Sequence, residues 1–182
     1  NSTNYAGFSI GATSDSIVTD IRVTGNIIQG ILTSTGQRSA VQTWRPSGAS
    51  VNVINVSNNI IYGFDNVSYS CGVRVRYATY YVYNNTIKNC YWGILQEAGT
   101  VTAKNNIIQN TVDGFNGTFA GASNYNISDL AADAPGANSK NSTTVAFVDA
   151  VNKDYHISQA DAAARDAGVA LSADANLAFN TD

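Results

Sequence analysis

Val82-Tyr83-Asn84-Asn85-Thr86-Ile87 is one copy of a short motif that recurs along this 182-residue chain. Further copies are Val23-Thr24-Gly25-Asn26-Ile27-Ile28, Val56-Ser57-Asn58-Asn59-Ile60-Ile61 and Ala103-Lys104-Asn105-Asn106-Ile107-Ile108, with a shorter copy at Asn124-Tyr125-Asn126-Ile127. The recurring asparagine falls at positions 26, 59, 85, 106 and 126, so the steps are 33, 26, 21 and 20 residues. Self-similarity at periods of roughly 20 to 50 residues is typical of proteins built from stacked repeats.

A recurring glycine marks the same repeat. Gly72, Gly93 and Gly114 are spaced by 21 residues, and each precedes an apolar residue. Units this short cannot hold a helix and two strands. Apolar residues alternate with a period of two, as at Val73 and Val75, which indicates strands. The sequence therefore predicts an all-β solenoid of stacked short strands.

The recurring asparagines, Asn26, Asn59, Asn85 and Asn106, have a physical reason to occupy one place in every repeat. Buried backbone groups at a tight corner need hydrogen-bond partners, and a stack of amides can serve both the corner and the next asparagine. Asparagine also tolerates the left-handed backbone conformation that such a corner requires. We expect these residues to be structural, together with the recurring glycines.

The V-x-N-N-x-I pattern followed by G-[IF] resembles the right-handed parallel β-helix superfamily, with the pectate-lyase-like fold, over roughly residues 20 to 128. A second resemblance is to the C-terminal segment of secreted bacterial β-helix repeat proteins. It is carried by Phe147-Val148-Asp149, Asp154-Tyr155-His156-Ile157 and Ala164 to Val169, with Ala162-Ala163 where those proteins carry Ser-Pro. The resemblances imply a right-handed parallel β-helix at the C-terminal end of a longer secreted protein.

The expected organisation is β-helix coils over residues 1–128 and a C-terminal loop and capping segment over residues 129–182. The stretch Leu130 to Thr144 is rich in Ala, Asn, Ser and Gly and is predicted to be a loop. An alternative for Ala160 to Ala167 is one or two alanine-rich helical turns, because solenoids need caps over their last coil.

Charged residues make up only 13% of the chain, about half of the ~25% usual in globular domains. The net charge of -3 disfavours a general nucleic-acid binder. No apolar run approaches the ~18 residues of a transmembrane segment, and no signal-peptide pattern opens the chain. We interpret the chain as a mature product or an excised fragment, and we expect an extracellular or cell-surface location.

Arg74, Arg76 and Lys88 are the candidate catalytic residues. Strand alternation predicts that Val73 and Val75 point inward, so that Arg74 and Arg76 point outward. Arg76 is expected beside Glu97, the only glutamate, one repeat later. The pair is either a surface ion pair worth at most ~1 kcal/mol or part of a cationic cluster that faces an acidic polysaccharide. The superfamily resemblance implies lyase chemistry, in which an Arg or Lys commonly removes the proton α to a uronate carboxylate, often with calcium neutralising that carboxylate.

Candidate carbohydrate-binding residues lie in the tyrosine-rich region and beyond it. Aromatic faces stack on the C–H groups of sugars, and a phenol can hydrogen-bond a sugar hydroxyl. The alternative is that these are ordinary strand tyrosines, with Tyr80 in the core. The candidates are Tyr81, Tyr83, Tyr91, Trp92 and Lys104.

Cys71 and Cys90 are expected at nearly the same corner of adjacent coils, because each lies just before a recurring glycine. Either a disulfide or two buried thiols would fit there, and a secreted protein favours the disulfide. Two cysteines are too few for a thiolate zinc site, and the single histidine, His156, supports no Ser-His-Asp set. No cofactor is evident, although Asp carboxylates and backbone carbonyls would suffice for calcium.

Two classes of function follow from these observations. The first is a glycan-facing domain, as part of a polysaccharide lyase or another carbohydrate-active protein. The second is a non-catalytic adhesin, fibre or structural module, and a tailspike-like glycan binder stands between the two. The expected partner is a polysaccharide or cell-surface glycan, and exposed sheet edges would also allow end-to-end self-association.

Overall fold

The computed structural model describes residues 5–11, 17–30, 36–44, 50–51, 53–65 and 68–177. Within these ranges the chain forms sixteen β-strands and no helix. The first eight strands are β1 (Tyr5–Gly11), β2 (Ile17–Val18), β3 (Ile21–Thr24), β4 (Ile27–Gln29), β5 (Arg38–Trp44), β6 (Ser50–Val51), β7 (Val53–Ser57) and β8 (Ile60–Phe64). The next eight are β9 (Cys71–Val75), β10 (Thr79–Tyr83), β11 (Thr86–Gln96), β12 (Thr100–Lys104), β13 (Ile107–Asn116), β14 (Ile127–Ser128), β15 (Phe147–Asp149) and β16 (Asp154–Ile157).

Two parallel sheets contain most of the described strands. The larger has eight strands, in the order β1-β5-β9-β11-β13-β14, and β8 and β4 join it in succession beside the first half of β11. The smaller has the order β12-β10-β7-β3, and β2 pairs with β6 separately. Among the strands that the structure describes, only β15 and β16 pair antiparallel. The structure thus confirms an all-β fold dominated by parallel strands.

Strand register follows the spacing of the sequence motif. In the smaller sheet, Ile21 pairs with Ile54, Ile54 with Tyr80, and Tyr80 with Val101. These partners are 33, 26 and 21 residues apart, which are the steps between the recurring asparagines. Each of the four full copies of the motif therefore adds one strand to the smaller sheet and the next strand to the larger one. We call one such repeat a pass.

The hydrophobic core lies between the two large sheets. Val56 and Val82 from the smaller sheet are fully buried in one cluster with Ile87, Ile94 and Ile108 from the larger sheet. The predicted inward residues Val73 and Val75 belong to the same cluster, as does Tyr80. The core extends along the stack of passes, because each pass adds buried parallel strands with the same inward positions.

A ladder of asparagine side chains runs through the corners between the sheets. The backbone N–H and Nδ2 of Asn59 both donate to Oδ1 of Asn85, at 3.0 Å each, and Asn85 donates to Asn106 in the same way. The same two bonds link Asn26 to Asn59 and Asn106 to Asn126. Each buried amide also donates to a carbonyl at the end of a strand, as Asn85 does to Val56 at 2.9 Å. The predicted stack of asparagine amides is thus present, and it bonds both the corner and the next asparagine.

The expectation that the ladder asparagine itself takes the left-handed conformation is wrong. That conformation occurs at the residue before it. Positive φ angles of 69°, 55°, 55°, 56° and 57° occur at Gly25, Asn58, Asn84, Asn105 and Tyr125. Turning the chain and bonding the next pass are thus done by two consecutive residues. The left-handed residue turns the chain, and the asparagine after it directs its amide into the stack.

The regular passes end at β14, and residues 129–177 form loops, turns and the β15–β16 hairpin. The alternative of helical turns over Ala160 to Ala167 is wrong. Asp161 bonds the backbone N–H groups of Ala163 and Ala164 at 3.0 and 2.7 Å, and also reaches Ala146 N at 2.7 Å. This carboxylate holds the segment in a turn against the preceding chain.

Asn85→Ala should strongly destabilise the fold. The substitution leaves two donors of Asn59 and the Val56 carbonyl without their partner, and an unsatisfied buried group costs about 1–3 kcal/mol. We expect the free energy of unfolding in urea to fall by at least about 3 kcal/mol. Asn138→Ala, at an exposed turn, is the matched control. Equal stability of the two variants would contradict the proposed role of the ladder.

Candidate functional site

Two rows of side chains flank the recurring glycines on the larger sheet, and we call them the corner rows. Strand register places four residues of successive passes in the first row: Ser39, Cys71, Trp92 and Asp113. The second row follows three residues later and contains Gln42, Arg74, Leu95 and Asn116. The rows contact each other, since Asn116 Nδ2 donates to Asp113 Oδ2 at 2.7 Å.

Glycine is required between the rows because the core leaves no room for a side chain. A Cβ on Gly93 would lie 2.5 Å from both the Gly114 carbonyl oxygen and Ile108 Cγ2. A Cβ on Gly72 would meet Gly93 O and Ile87 Cγ2 at 2.8 Å. The chain therefore passes close to the core at each glycine.

Glu97 stands between the two candidate arginines. Arg76 Nε donates to Glu97 Oε2, as predicted from the 21-residue register, and Arg74 lies 3.5 Å from Glu97 Oε1. The bond to Glu97 holds the pKa of Arg76 above its usual value. Both guanidinium groups are thus partnered by the same carboxylate.

Arg74 is buried, although strand alternation predicted an outward and accessible side chain. It is only 2% exposed, donates to the Tyr69 carbonyl at 3.0 Å, and leaves its Nε without a hydrogen-bond partner. Its register neighbours Gln42 and Leu95 are buried as well. Strand alternation correctly places Val73 and Val75, and not Arg74, in the core cluster. It does not predict that neighbouring side chains cover Arg74.

Lys88 is separate from the arginines. It lies seven residues before Leu95 on β11, and Leu95 is the register partner of Arg74. Its Nζ is 5.5 Å from the centroid of the Phe147 ring. Burial lowers the pKa of Lys88, and nearby Asp129 opposes this shift. The three candidate catalytic residues do not form one site.

Three aromatic rings form a patch beside the first corner row. Tyr69 and Trp92 meet edge-to-face with ring centroids 4.7 Å apart, and Tyr91 meets Trp92 at 5.4 Å. Tyr69 is 49% exposed and has a left-handed φ of 71°, while Tyr91 and Trp92 are half-buried. We call Tyr69, Tyr91 and Trp92 the aromatic patch.

The other three candidate carbohydrate-binding residues lie on the smaller sheet. Tyr83 and Lys104 are register partners there, and Tyr81 is two residues before Tyr83. Tyr83 is 1% exposed, and Lys104 is ion-paired with Asp174 at 2.8 Å. The five candidates therefore lie on two different sheets, and the C-terminal segment contacts Lys104 through Asp174.

A pair of carboxylates closes the end of the first corner row. Asp113 and Asp133 line the same cavity, and Asp133 accepts hydrogen bonds from Phe115 N, at 3.1 Å, and from the Ser128 hydroxyl. Burial raises the pKa of Asp133, and the contact with Asp113 adds to this, against the bonds from Ser128 and Phe115. An open cavity of about 460 Å³ lies beside the pair. Asp133 takes the place that a further strand would occupy beside Phe115.

Cys71 and Cys90 are free, buried thiols, so the preference for a disulfide is wrong. Cys71 is opposite Trp92 in the sheet, whereas Cys90 is two residues earlier on β11. An offset of two residues along a strand (about 6.6 Å) and one strand across (about 4.8 Å) separates the Cα atoms by roughly 8 Å. A disulfide spans at most about 7 Å.

Three residues that the sequence analysis missed now stand out. Tyr69 completes the aromatic patch, Asp133 caps a sheet edge, and Asp174 pairs with Lys104. None belongs to the repeating pattern. Only the local crowding of aromatic residues could have drawn attention to Tyr69.

The described ranges contain no group of three His, Cys, Asp or Glu side chains that could hold a metal ion, and calcium stays a prediction. His156 is exposed beside Asp154. Within the same part of the chain, no helix is long and apolar enough to cross a membrane. No protein-family model matches the chain, and no curated protein or solved structure gives a significant match.

Both thiols should be present and protected. Burial raises the pKa of Cys71 to about 11 despite nearby Arg74, and burial raises the pKa of Cys90 further. At pH 8 the thiols are protonated and shielded, so we expect no reaction with iodoacetamide in the native protein. Unfolding without reductant should then give two alkylated cysteines by mass spectrometry. An unfolded chain that takes up no label would contradict free thiols.

Proposed function

We propose that this chain is a right-handed parallel β-helix from an extracellular or cell-surface protein, and that it binds a polysaccharide on the aromatic patch. The β-helix is supported by parallel register at the motif spacing and by the buried asparagine ladder. The low charged fraction of 13% suits a neutral, hydrogen-bonding ligand surface. An acidic glycan that reaches the C-terminal ends of β9 and β11 would also meet the ion pair of Arg76 and Glu97.

The observation that carries the binding proposal is a cluster of three aromatic rings in which Tyr69 is exposed and Tyr91 and Trp92 are half-buried. Stacking on a ring face is the usual way in which proteins hold the apolar side of a sugar, and tyrosine adds a hydroxyl. The carbonyl of Tyr69 accepts a hydrogen bond from the buried Arg74 at 3.0 Å, which anchors the backbone that carries this exposed ring.

Polar groups on neighbouring passes extend this surface along the stack. Asp113 follows Trp92 by one pass, about 4.8 Å away, and its bond to Asn116 orients both side chains. Arg76 and Glu97 lie at the other end of the same strands. A glycan chain laid across the passes would meet aromatic faces and then a carboxylate and an amide.

Binding is better supported than lyase catalysis. A lyase base must accept a proton, yet the bond to Glu97 raises the pKa of Arg76, and Arg74 is buried. Lys88, the one candidate with a lowered pKa, packs against Phe147 far from the arginines. A non-catalytic adhesin or fibre module would use the same surface. Self-association would involve the edge strands β1, β3 and β4, since Asp133 and β14 cover part of the last pass.

Trp92→Ala should weaken glycan binding. In calorimetry, we expect the wild-type chain to bind oligosaccharides from a panel of neutral and acidic hexamers. Trp92→Ala should weaken that binding about tenfold, because a ring contact contributes about 0.5–1.5 kcal/mol beyond its buried area. Tyr69→Asn, which keeps a residue that tolerates positive φ, should act in the same direction. Val151→Ala, at the most exposed apolar side chain of those described, is the control.

Two results would count against this proposal. Equal binding by wild type and Trp92→Ala would remove the aromatic patch as the site, and a panel without any ligand would favour the structural module. Incubation with alginate, pectate or chondroitin, with and without calcium, should give no rise in ultraviolet absorbance from unsaturated products. A rise that Arg76→Ala abolishes would establish lyase activity instead.

A further inference from the structure

The C-terminal segment, residues 145–177, forms a strap over the outside of the passes. Val145, together with Phe147 and Ala164, packs in a small cluster with Ile107 and Ile127. The main core cluster contains no residue of this segment among those described. The strap is thus a layer added to a stack that already has its own core.

The strap inserts polar groups into a cradle on the smaller sheet, formed by Tyr81, Tyr83 and Lys104. Asp174 Oδ2 accepts a hydrogen bond from Lys104 Nζ at 2.8 Å, and Asp174 Oδ1 accepts bonds from the backbone N–H and Nδ2 of Asn176 at 3.0 and 3.2 Å. Lys104 Nζ is 5.4 Å from the centroid of the Tyr83 ring, which lies 5.9 Å from the Tyr81 ring. The cradle offers a cation beside two aromatic rings, and the strap fills it with a carboxylate and an amide.

Asp174 is held there as a charged group. Burial opposes its ionisation, but the bonds from Lys104 and Asn176 outweigh burial and hold the pKa of Asp174 below its usual range. A carboxylate bound by a lysine next to aromatic rings is also the arrangement that would receive an acidic sugar. The strap therefore presents the same chemistry as such a ligand.

The second half of the strap, residues 158–177, is attached to the passes through few hydrogen bonds beyond the small cluster around Ile107. Val169 exchanges two hydrogen bonds with the side chain of Asn105, at 3.0 and 2.8 Å, and Lys140 Nζ donates to Ala163 O at 2.7 Å. Residues 158–177 contain no strand or helix, and about half of them are exposed. Segments with few buried apolar contacts open locally at a lower free-energy cost than core strands.

We propose that Asp174 occupies, within the same chain, a second binding site for a carboxylate group of an acidic polysaccharide, and that release of the strap opens this site. The ligand class rests on the proposed function, but the surface is separate from the aromatic patch. Lys104 and Tyr83 lie on the smaller sheet, whereas Trp92 lies on the larger one. Strap and ligand would compete for Lys104.

Asp174→Asn separates competition from a purely structural role. The variant removes the internal carboxylate and leaves Lys104 free, and the apparent affinity of a ligand rises with the fraction of protein that is competent to bind it. We expect hexagalacturonate to bind Asp174→Asn about tenfold more tightly than the wild type in calorimetry. Lys104→Gln in the same background should abolish the gain, and the methyl-esterified hexamer should show none.

The control variant is Asp166→Asn, which changes an exposed carboxylate of the strap at a left-handed position that asparagine tolerates. It should bind hexagalacturonate as the wild type does. No gain in Asp174→Asn, or a gain that survives Lys104→Gln or methyl esterification, would overturn the proposal. The test is distinct from that of the aromatic patch, because Trp92→Ala should leave the gain of Asp174→Asn intact even if the patch binds nothing.

Hydrogen exchange on the wild-type chain tests the same competition, and it does not depend on whether Asp174→Asn folds. Hydrogen exchange at the Val169 amide reports the bond to Asn105 directly. A saturating concentration of hexagalacturonate should accelerate this exchange about tenfold or more, as ligand captures the open strap. Unchanged exchange at saturation would rule out competition.

Discussion

The hydrogen bond that connects each buried asparagine amide to the next pass is the interaction on which the structure depends. Asn85 Oδ1 accepts two bonds from Asn59, while its own Nδ2 donates to Asn106 Oδ1 and to the Val56 carbonyl. These groups lie out of contact with water, where each unsatisfied partner would cost about 1–3 kcal/mol. The ladder thus fixes one point in every pass, and passes of 33, 26, 21 and 20 residues stack in register because their length differences fall in the connecting segments.

Features near that fixed point could be predicted from the sequence. The inward positions of Val73 and Val75 and the pairing of Arg76 with Glu97 follow from a period of two within strands and a step of 21 residues between passes. The need for glycine at Gly93 follows from the same step, since the core side chain of Ile108 faces it from the next pass. Strand alternation and repeat spacing are enough to predict a residue's contacts when those contacts come only from its own repeat and the adjacent one.

The sequence could not predict the parts of the site that irregular segments build. Tyr83 was expected at the surface, but the strap that buries it comes from about 90 residues further along the chain and follows no repeating pattern. Arg74 is covered for a related reason, because the loop before β9 carries Tyr69 back over it. The predicted disulfide is wrong because Cys71 lies one residue and Cys90 three residues before a recurring glycine, and an offset of two residues between adjacent strands is too long for a disulfide. Periodicity defines neighbours in the stack, but it carries no information on what covers the stack from outside.

Native-state hydrogen exchange at the ladder tests this account most directly. The backbone amides of Asn59, Asn85 and Asn106 donate to side-chain oxygens rather than to strand carbonyls. If those bonds hold the passes in register, these amides exchange only when the whole domain unfolds, with protection equal to that of Val82 and Ile94 in the core strands. Exchange at the rate of an exposed turn amide such as that of Gly121, while the core strands stay protected, would contradict the account.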